Sequence, residues 1–359
     1  MKLTFNTFKK ALIFSLFAGL FLGLQAAPRV VGFYPYWAQY SQFKAENLKT
    51  DYYTHIHYGY FKPVAGGTIE MADLADTENL KALSTLCKNK GIKLVLTIGG
   101  SGMSDDFAPI ASDNVSRAAF ISNVQKLIEE WGAAGVELSW SGVTADQKDS
   151  YAQILKDLSS ALKADAAKPI LAVTVPWNPE SATGYDAEAL KLVDYVSIQN
   201  LEMMDESNEV VIPHSSLPTT QAAIDYWAGL GLAKDKILLN APLFGKSYMG
   251  ADKLGAPHQG VGSGNEGYLT WKELMAKFDG ADYKVEFDAA TSSEFAIGNG
   301  EIIVFNGIPS LKALAEVIKN QGLGGVVVND VASDDEHAII SLQVTLMQVL
   351  KPEMEFKKK

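Results

Sequence analysis

Cysteine is almost absent: Cys87 is the only one in 359 residues, so no disulfide can form within the chain. It falls in the apolar repeat Leu80, Leu83, Leu86, Cys87, which marks a core thiol rather than a reactive one. Histidine is scarce too. The five, His55, His57, His214, His258 and His337, form no metal-binding spacing such as HExxH. His55 and His57 flank Ile56 on one strand face, where they read as a structural pair of imidazoles or, alternatively, as a two-histidine metal site. Positive charge is outnumbered, with 31 basic against 42 acidic residues and a formal net charge of −11, which disfavours nucleic acid and anionic lipid as partners. The most apolar stretch, Ala11 to Gly23, falls short of the roughly 20 residues that span a bilayer.

What is present begins with a leader. Lys2, Lys9 and Lys10 precede that apolar stretch, and the small residues Ala26 and Ala27 follow it, which predicts a secretory signal peptide over residues 1–26. An uncleaved anchor is the alternative. Cleavage leaves residues 27–359 as the mature chain with a formal net charge of −14, exported to the periplasm or beyond the cell and not inserted in a membrane.

From Arg29 onward, apolar strand-like runs alternate with amphipathic helical stretches, the pattern of parallel β/α units. The predicted strands are Val30 to Tyr34, His55 to Phe61, Lys93 to Ile98, Gly135 to Ser141, Ile170 to Val175, Tyr195 to Leu201, Ile237 to Pro242 and Gly325 to Val328. Eight such strands predict an α/β fold, a closed (β/α)8 TIM barrel. Phe120, Val124, Leu127, Ile128 and Trp131 recur at helical spacing, as do Tyr151, Leu155, Leu158 and Leu162, and should pack on its outside. About 80 residues separate the last two strands, too many for one crossover helix. A small α+β insertion is therefore expected over residues 247–305, where glycine-rich turns, Trp271 and the β-like piece Tyr283 to Phe287 lie.

The run Gly135-Val136-Glu137-Leu138-Ser139-Trp140-Ser141 resembles the signature strand of glycoside hydrolase family 18, the chitinases. That pattern is Asp-Gly-x-Asp-x-Asp-Trp-x-Glu or a near variant. Gly135 and Trp140 match; the Asp positions become Ala134, Glu137 and Ser139, and the terminal Glu, which protonates the glycosidic oxygen, becomes Ser141. The resemblance extends over nearly the whole mature chain. It includes Val31 to Trp37, Tyr53 to Tyr60, Leu94 to Gly100, Lys236 to Leu239 with Pro242 to Lys246, and Gly322 to Val326.

The resemblance implies substrate-assisted hydrolysis, in which the sugar's acetamido oxygen attacks the anomeric carbon while the glutamic acid protonates the leaving oxygen. A serine hydroxyl is far too weak an acid for that role, and loss of a general acid costs on the order of 10²- to 10⁴-fold. Other departures fall at strand ends. Gln199, Leu201 and Glu202 stand where the family has Met-x-Tyr-Asp, Asn329 where a tryptophan floors the sugar site, Ser101 where many members stack another, and Phe244, Gly245 and Lys246 where Tyr-Gly-Arg is usual.

The resemblance and these positions imply a secreted, catalytically inactive barrel that binds chitin or another N-acetylglucosamine-containing oligosaccharide or polysaccharide and needs no cofactor. The expected ligand-binding set is Phe33, Trp37, Tyr60, Gly99, Gly100, Trp177, Gln199, Glu202, Phe244, Lys246 and Asn329. Two alternatives stay open. An active glycoside hydrolase could use relocated acids, with Glu202 and Asp330 at strand ends or Glu137 deeper in the barrel; or the cleft could be vestigial in a protein that binds something other than sugar. Ser139 and Ser141 read as space-filling hydroxyls, since no Gly-x-Ser-x-Gly elbow accompanies them. Trp131, Trp140, Trp227 and Trp271 read as core or insertion residues.

Overall fold

The computed structural model describes residues 27–201, 209–280 and 283–356. Eight parallel strands close on themselves: β1 (Arg29–Pro35), β2 (His55–Val64), β4 (Lys93–Gly99), β5 (Gly135–Ser139), β6 (Ile170–Pro176), β7 (Tyr195–Gln199), β8 (Ile237–Pro242) and β14 (Gly325–Asn329). β1 pairs with both β2 and β14, which removes the sheet edges and makes the (β/α)8 barrel. A short β3 (Thr68–Met71) runs antiparallel to the far half of β2. Among the described residues no helix is long and apolar enough to cross a membrane.

The two-residue period of the strands sorts side chains between two environments. On β4, Leu94, Leu96 and Ile98 point outward into the main core, while Val95, Thr97 and Gly99 face the axis. The helix Asn114–Trp131 buries Phe120, Val124, Leu127, Ile128 and Trp131 against that outer face, and Lys148–Ala164 does the same with Tyr151, Leu155, Leu158 and Leu162. Asp113 accepts the Ser116 N–H to start the first of these, and Gly132 in the left-handed region ends it. Cys87 is buried in the same core, where burial pushes its thiol up to about 12.

Two expected strands are shorter than their sequence patterns. The run expected to reach Ser141 stops at Ser139, because the Ser139 carbonyl is taken by the Gly100 N–H at 2.7 Å and Trp140 swings out to stack on Phe107 at 5.3 Å. The alternation that put Ser141 on the inward face beside Glu137 and Ser139 therefore does not reach it. Likewise β7 ends at Gln199 rather than Leu201, and the Asn200 side chain turns to donate to the Asn240 carbonyl at 3.1 Å.

Between β8 and β14 lies a second, antiparallel sheet in the order β10-β9-β13-β12-β11: β9 (Phe244–Met249), β10 (Tyr268–Thr270), β11 (Lys284–Asp288), β12 (Ser293–Gly298) and β13 (Glu301–Phe305). It starts at Phe244, three residues ahead of the expected boundary, since only Leu243 separates β8 from β9. Tyr248, Ile302, Val304 and Phe295 form its own small core. One carboxylate ties it to the barrel. Glu294 on β12, 5% exposed, accepts from the Gly307 N–H at 2.9 Å, the Ser310 N–H at 3.3 Å and the Ser310 hydroxyl. These are the first N–H groups of the helix Ile308–Gln321, whose own N-cap residue, Gly307, has no side chain to offer.

Removing that acceptor strands buried donors, so Glu294→Ala should lower unfolding stability by about 2–4 kcal/mol, read as a shift in urea midpoint.

Candidate functional site

The axis of the barrel is polar at its upper end, and one carboxylate organises it. Glu137 on β5 is 5% exposed and surrounded by inward-facing residues of neighbouring strands. Its Oε2 accepts from His57 Nδ1 at 3.0 Å and from the Thr97 hydroxyl at 2.9 Å, and its Oε1 accepts from the Thr174 hydroxyl at 2.9 Å. His57 Nε2 lies 2.7 Å from the Tyr195 hydroxyl, so both imidazole nitrogens are engaged. Burial alone would raise the Glu137 carboxyl, but the His57 imidazole and the three hydrogen bonds hold it below its ordinary range. It is a buried, fixed anion.

Above Glu137 is a cavity of about 50 Å³. Its polar lining comes from Glu137, Ser139, Thr97, Thr174, Ser197, Gln199, Asn240 and Asn329, and Phe33, Tyr60 and Val327 complete it. That is well below the roughly 300 Å³ at which ligand pockets begin, so a whole sugar ring has no room at the axis. The Ser197 hydroxyl, on a residue 2% exposed, makes no hydrogen bond.

An aromatic shelf continues outward from it. Phe33, 7% exposed, and Tyr60 have ring centroids 5.3 Å apart, and Trp37 lies 5.8 Å from Tyr60 and 6.3 Å from Phe33. Trp37 sits on the turn Tyr36–Ser41 after β1 and is 41% exposed. Gly100 makes the shelf possible: a Cβ there would come within 2.7 Å of the Tyr60 ring, and its φ of +109° belongs to glycine. Gly99, at φ +93°, approaches the Ser139 carbonyl in the same way. The two glycines thus act through backbone packing.

The remaining expected residues scatter. Gln199 and Asn329 reach the cavity from the ends of β7 and β14. Trp177, beyond β6, packs partly buried on the main core and does not line the cavity. Phe244 and Lys246 belong to β9 of the second sheet, where Phe244 packs on His214 at 4.7 Å and the Lys246 Nζ donates to the Glu266 carbonyl at 2.7 Å. Neither lines the cavity, because the strand carrying them has already left the barrel. Glu202 lies outside the described residues, as do 1–26.

Ser141 is exposed on a turn, its N–H donating to Ser104 Oγ at 3.0 Å. Asp330, just past β14, is 9% exposed, and its Oδ1 accepts from the Ala332 N–H and the Ser333 hydroxyl, both at 2.9 Å. Burial raises it to about 6. Thr97, Thr174, Ser197 and Asn240 were not singled out from sequence. Their signal was there: each is a polar residue at an inward position of an otherwise apolar strand.

Residues 29–334 match the profile of the glycosyl hydrolases family 18. The chain belongs to that family. A chitinase-like mite allergen of Dermatophagoides farinae, Der f 18.0101, is 23% identical over 346 residues, covering 90% of this chain and 74% of the allergen. The catalytic domain 2 of the Group II chitinase of Ostrinia furnacalis superposes with a TM-score of 0.84 at 20% identity, covering 92% of this chain and 98% of that domain. Human YKL-39, described as a pseudo-chitinase with retained chitooligosaccharide binding, gives 0.83 at 19% identity, covering 90% of this chain and 100% of its own. At these identities the structural likenesses establish the fold. Within the family 18 frame, the signature strand of this barrel places Glu137 on the axis, Ser139 at the cavity and Ser141 on the rim.

Glu137 and His57 should behave as one unit. His57→Leu leaves the carboxylate short of a buried partner and should cost about 3–5 kcal/mol, and the double change with Glu137→Leu should cost less than the two single losses combined. Because the folded state holds Glu137 below its unfolded value, its contribution is present above about pH 4.3 and lost as pH falls through the folded value. Urea midpoints between pH 7 and pH 3 should fall less steeply for Glu137→Gln.

Proposed function

We propose that this family 18 barrel is a catalytically inactive glycan-binding protein that holds an N-acetylglucosamine-containing oligosaccharide across its mouth. The observation that carries the reading is the state of the carboxyls. The acid position is a serine on an exposed turn, and Glu137 has three of its acceptor sites filled and sits below a cavity too small for a ring. The Trp37, Tyr60 and Phe33 shelf supports binding, since exposed aromatics at a cleft edge stack on the apolar face of a sugar. The retained chitooligosaccharide binding described for YKL-39 supports the same reading. With residues 1–26 read as an export leader, the protein acts in the periplasm or outside the cell.

One observation favours a second reading, an altered hydrolase: Asp330, raised to about 6, has the acidity of a general acid. Its hydrogen bonds point the other way, since Oδ1 closes the turn to Ala332 and Ser333.

Titration calorimetry of the mature chain with an N-acetylglucosamine hexamer should give a saturable heat that returns to a flat baseline. Trp37→Ala should weaken it by roughly tenfold or more. A sustained heat of turnover abolished by Asp330→Asn would establish the second reading instead. Under the first, Asp330→Asn leaves binding intact and acts on stability alone. The folded state binds the Asp330 proton more tightly than the unfolded state, so the associated stability is present below about pH 4 and lost as pH rises through 6. That loss, about 2–3 kcal/mol by pH 7.5, should disappear in the variant.

A further inference from the structure

The second sheet ends on an open edge. In its order β10-β9-β13-β12-β11, the strand β11 pairs with β12 on one side, and among the described residues no strand meets its other side. The opposite edge, β10, is three residues long and turns directly into the helix Trp271–Gly280. An open edge presents a row of backbone N–H and C=O groups, a template for pairing with another chain. On β11, Val285 and Phe287 share one face and are each 49% exposed. Lys284, Glu286 and Asp288 share the other, where the Lys284 Nζ lies 2.7 Å from Glu286 Oε1.

Charged residues on an edge ordinarily deter pairing, but they deter a second copy of the same strand only where like charges meet. Residues opposite each other in an antiparallel pair share a face, so a two-fold pairing of β11 with itself is centred on a residue. A centre at Lys284, Glu286 or Asp288 sets that charge against its own copy, and a centre at Phe287 sets Glu286 against Asp288. Val285 is the remaining centre. There Lys284 of each copy faces Glu286 of the other, Val285 meets Val285, and Phe287 meets Tyr283. The Lys284–Glu286 pair within each strand then becomes half of a ring of four alternating charges.

We propose that two copies of this protein associate through β11, antiparallel and centred on Val285, joining their two insertion sheets into one continuous sheet. No residue of the aromatic shelf or of the axial cavity lies on β11, so each mouth keeps its own residues. The inference goes beyond the glycan-binding reading and does not depend on it. A strand pair this short buries less than the roughly 1,200 Å² at which standard interfaces begin, so the dimer is weak, with a dissociation constant on the order of 10–100 μM.

Sedimentation velocity of the mature chain from about 1 μM to about 500 μM should show a monomer passing into a dimer. Lys284→Glu opposes like charges at both ends of the register and should weaken the association by at least about tenfold. Adding Glu286→Lys restores opposite charges and should recover the association to within about threefold of the original. Val285→Cys places a thiol against its own copy, while Cys87, the only native cysteine, is buried. Under mild oxidation that variant should cross-link at least about tenfold faster than Glu286→Cys, whose thiols are offset along the two strands. All of these positions are on the exposed edge, and a thermal melt checks that each variant is folded. A chain that stays monomeric at the highest concentration overturns the inference. So does a dimer that Lys284→Glu leaves intact, a double variant no stronger than Lys284→Glu alone, or Glu286→Cys cross-linking as fast as Val285→Cys.

Discussion

A carboxylate placed on the axis of a closed barrel has to be satisfied from several directions at once, and this constraint shapes the upper half of the molecule. Glu137 is met by His57 from β2, Thr97 from β4 and Thr174 from β6, while His57 is met in turn by Tyr195 from β7. Five strands therefore carry a polar residue at an inward position where the rest of their sequence is apolar. The lower axis needs no such arrangement: Val31, Ala172 and Leu238 fill much of it, as layered side chains do in barrels of this kind, and Phe33 and Val327 continue the same apolar cluster up to the cavity wall. The polar and apolar portions meet at Tyr195, whose ring joins that cluster and whose hydroxyl completes the network above it.

The same constraint limits what the mouth can do. An acid that is held ionised and filled with hydrogen bonds gives up the proton mobility that general acid catalysis requires. The residues above it do not restore that mobility. The Ser139 carbonyl is taken by Gly100 and Ser104, and the hydroxyl of Ser104 also receives the Ser141 N–H. The turn that carries Ser141 is thus joined to the loop after β4 by backbone and serine contacts. The aromatic shelf adjoins this region at Gly100, whose backbone bonds the Ser139 carbonyl on one side and packs against the Tyr60 ring on the other.

Much of the fold was legible because two periods dominate the sequence. Outward strand residues such as Leu94, Leu96 and Ile98, and helix stripes such as Phe120, Val124 and Leu127, state their environment through spacing alone. Strand ends were less legible, since the pattern through Trp140 and Ser141 stays compatible with a strand while the Gly100 contact and the Phe107 stack end it. Phe244 and Lys246 fall on the second sheet for a related reason. The chain passes from barrel to insertion through one residue, and sequence carries no sign of that change of sheet. At the site, the aromatic positions could be read from the resemblance, but the cavity could not. Its size depends on how Phe33, Tyr60 and eight polar side chains share a space, which is a property of closure and not of any one residue.

The buried acids of the structure also argue about catalysis by their number of obligations. Glu294 holds the first turn of the helix Ile308–Gln321, Asp334 accepts from the Leu342 and Gln343 N–H groups at the start of Leu342–Leu350, and Asp330 closes the turn after β14. Burial raises all three, yet each shift is opposed by donors that belong to the fold. A catalytic acid needs a raised carboxyl with an oxygen free to meet the substrate, whereas these acids are raised because they are enclosed and are enclosed because they complete backbone ends. A raised carboxyl is therefore a by-product of structural capping here.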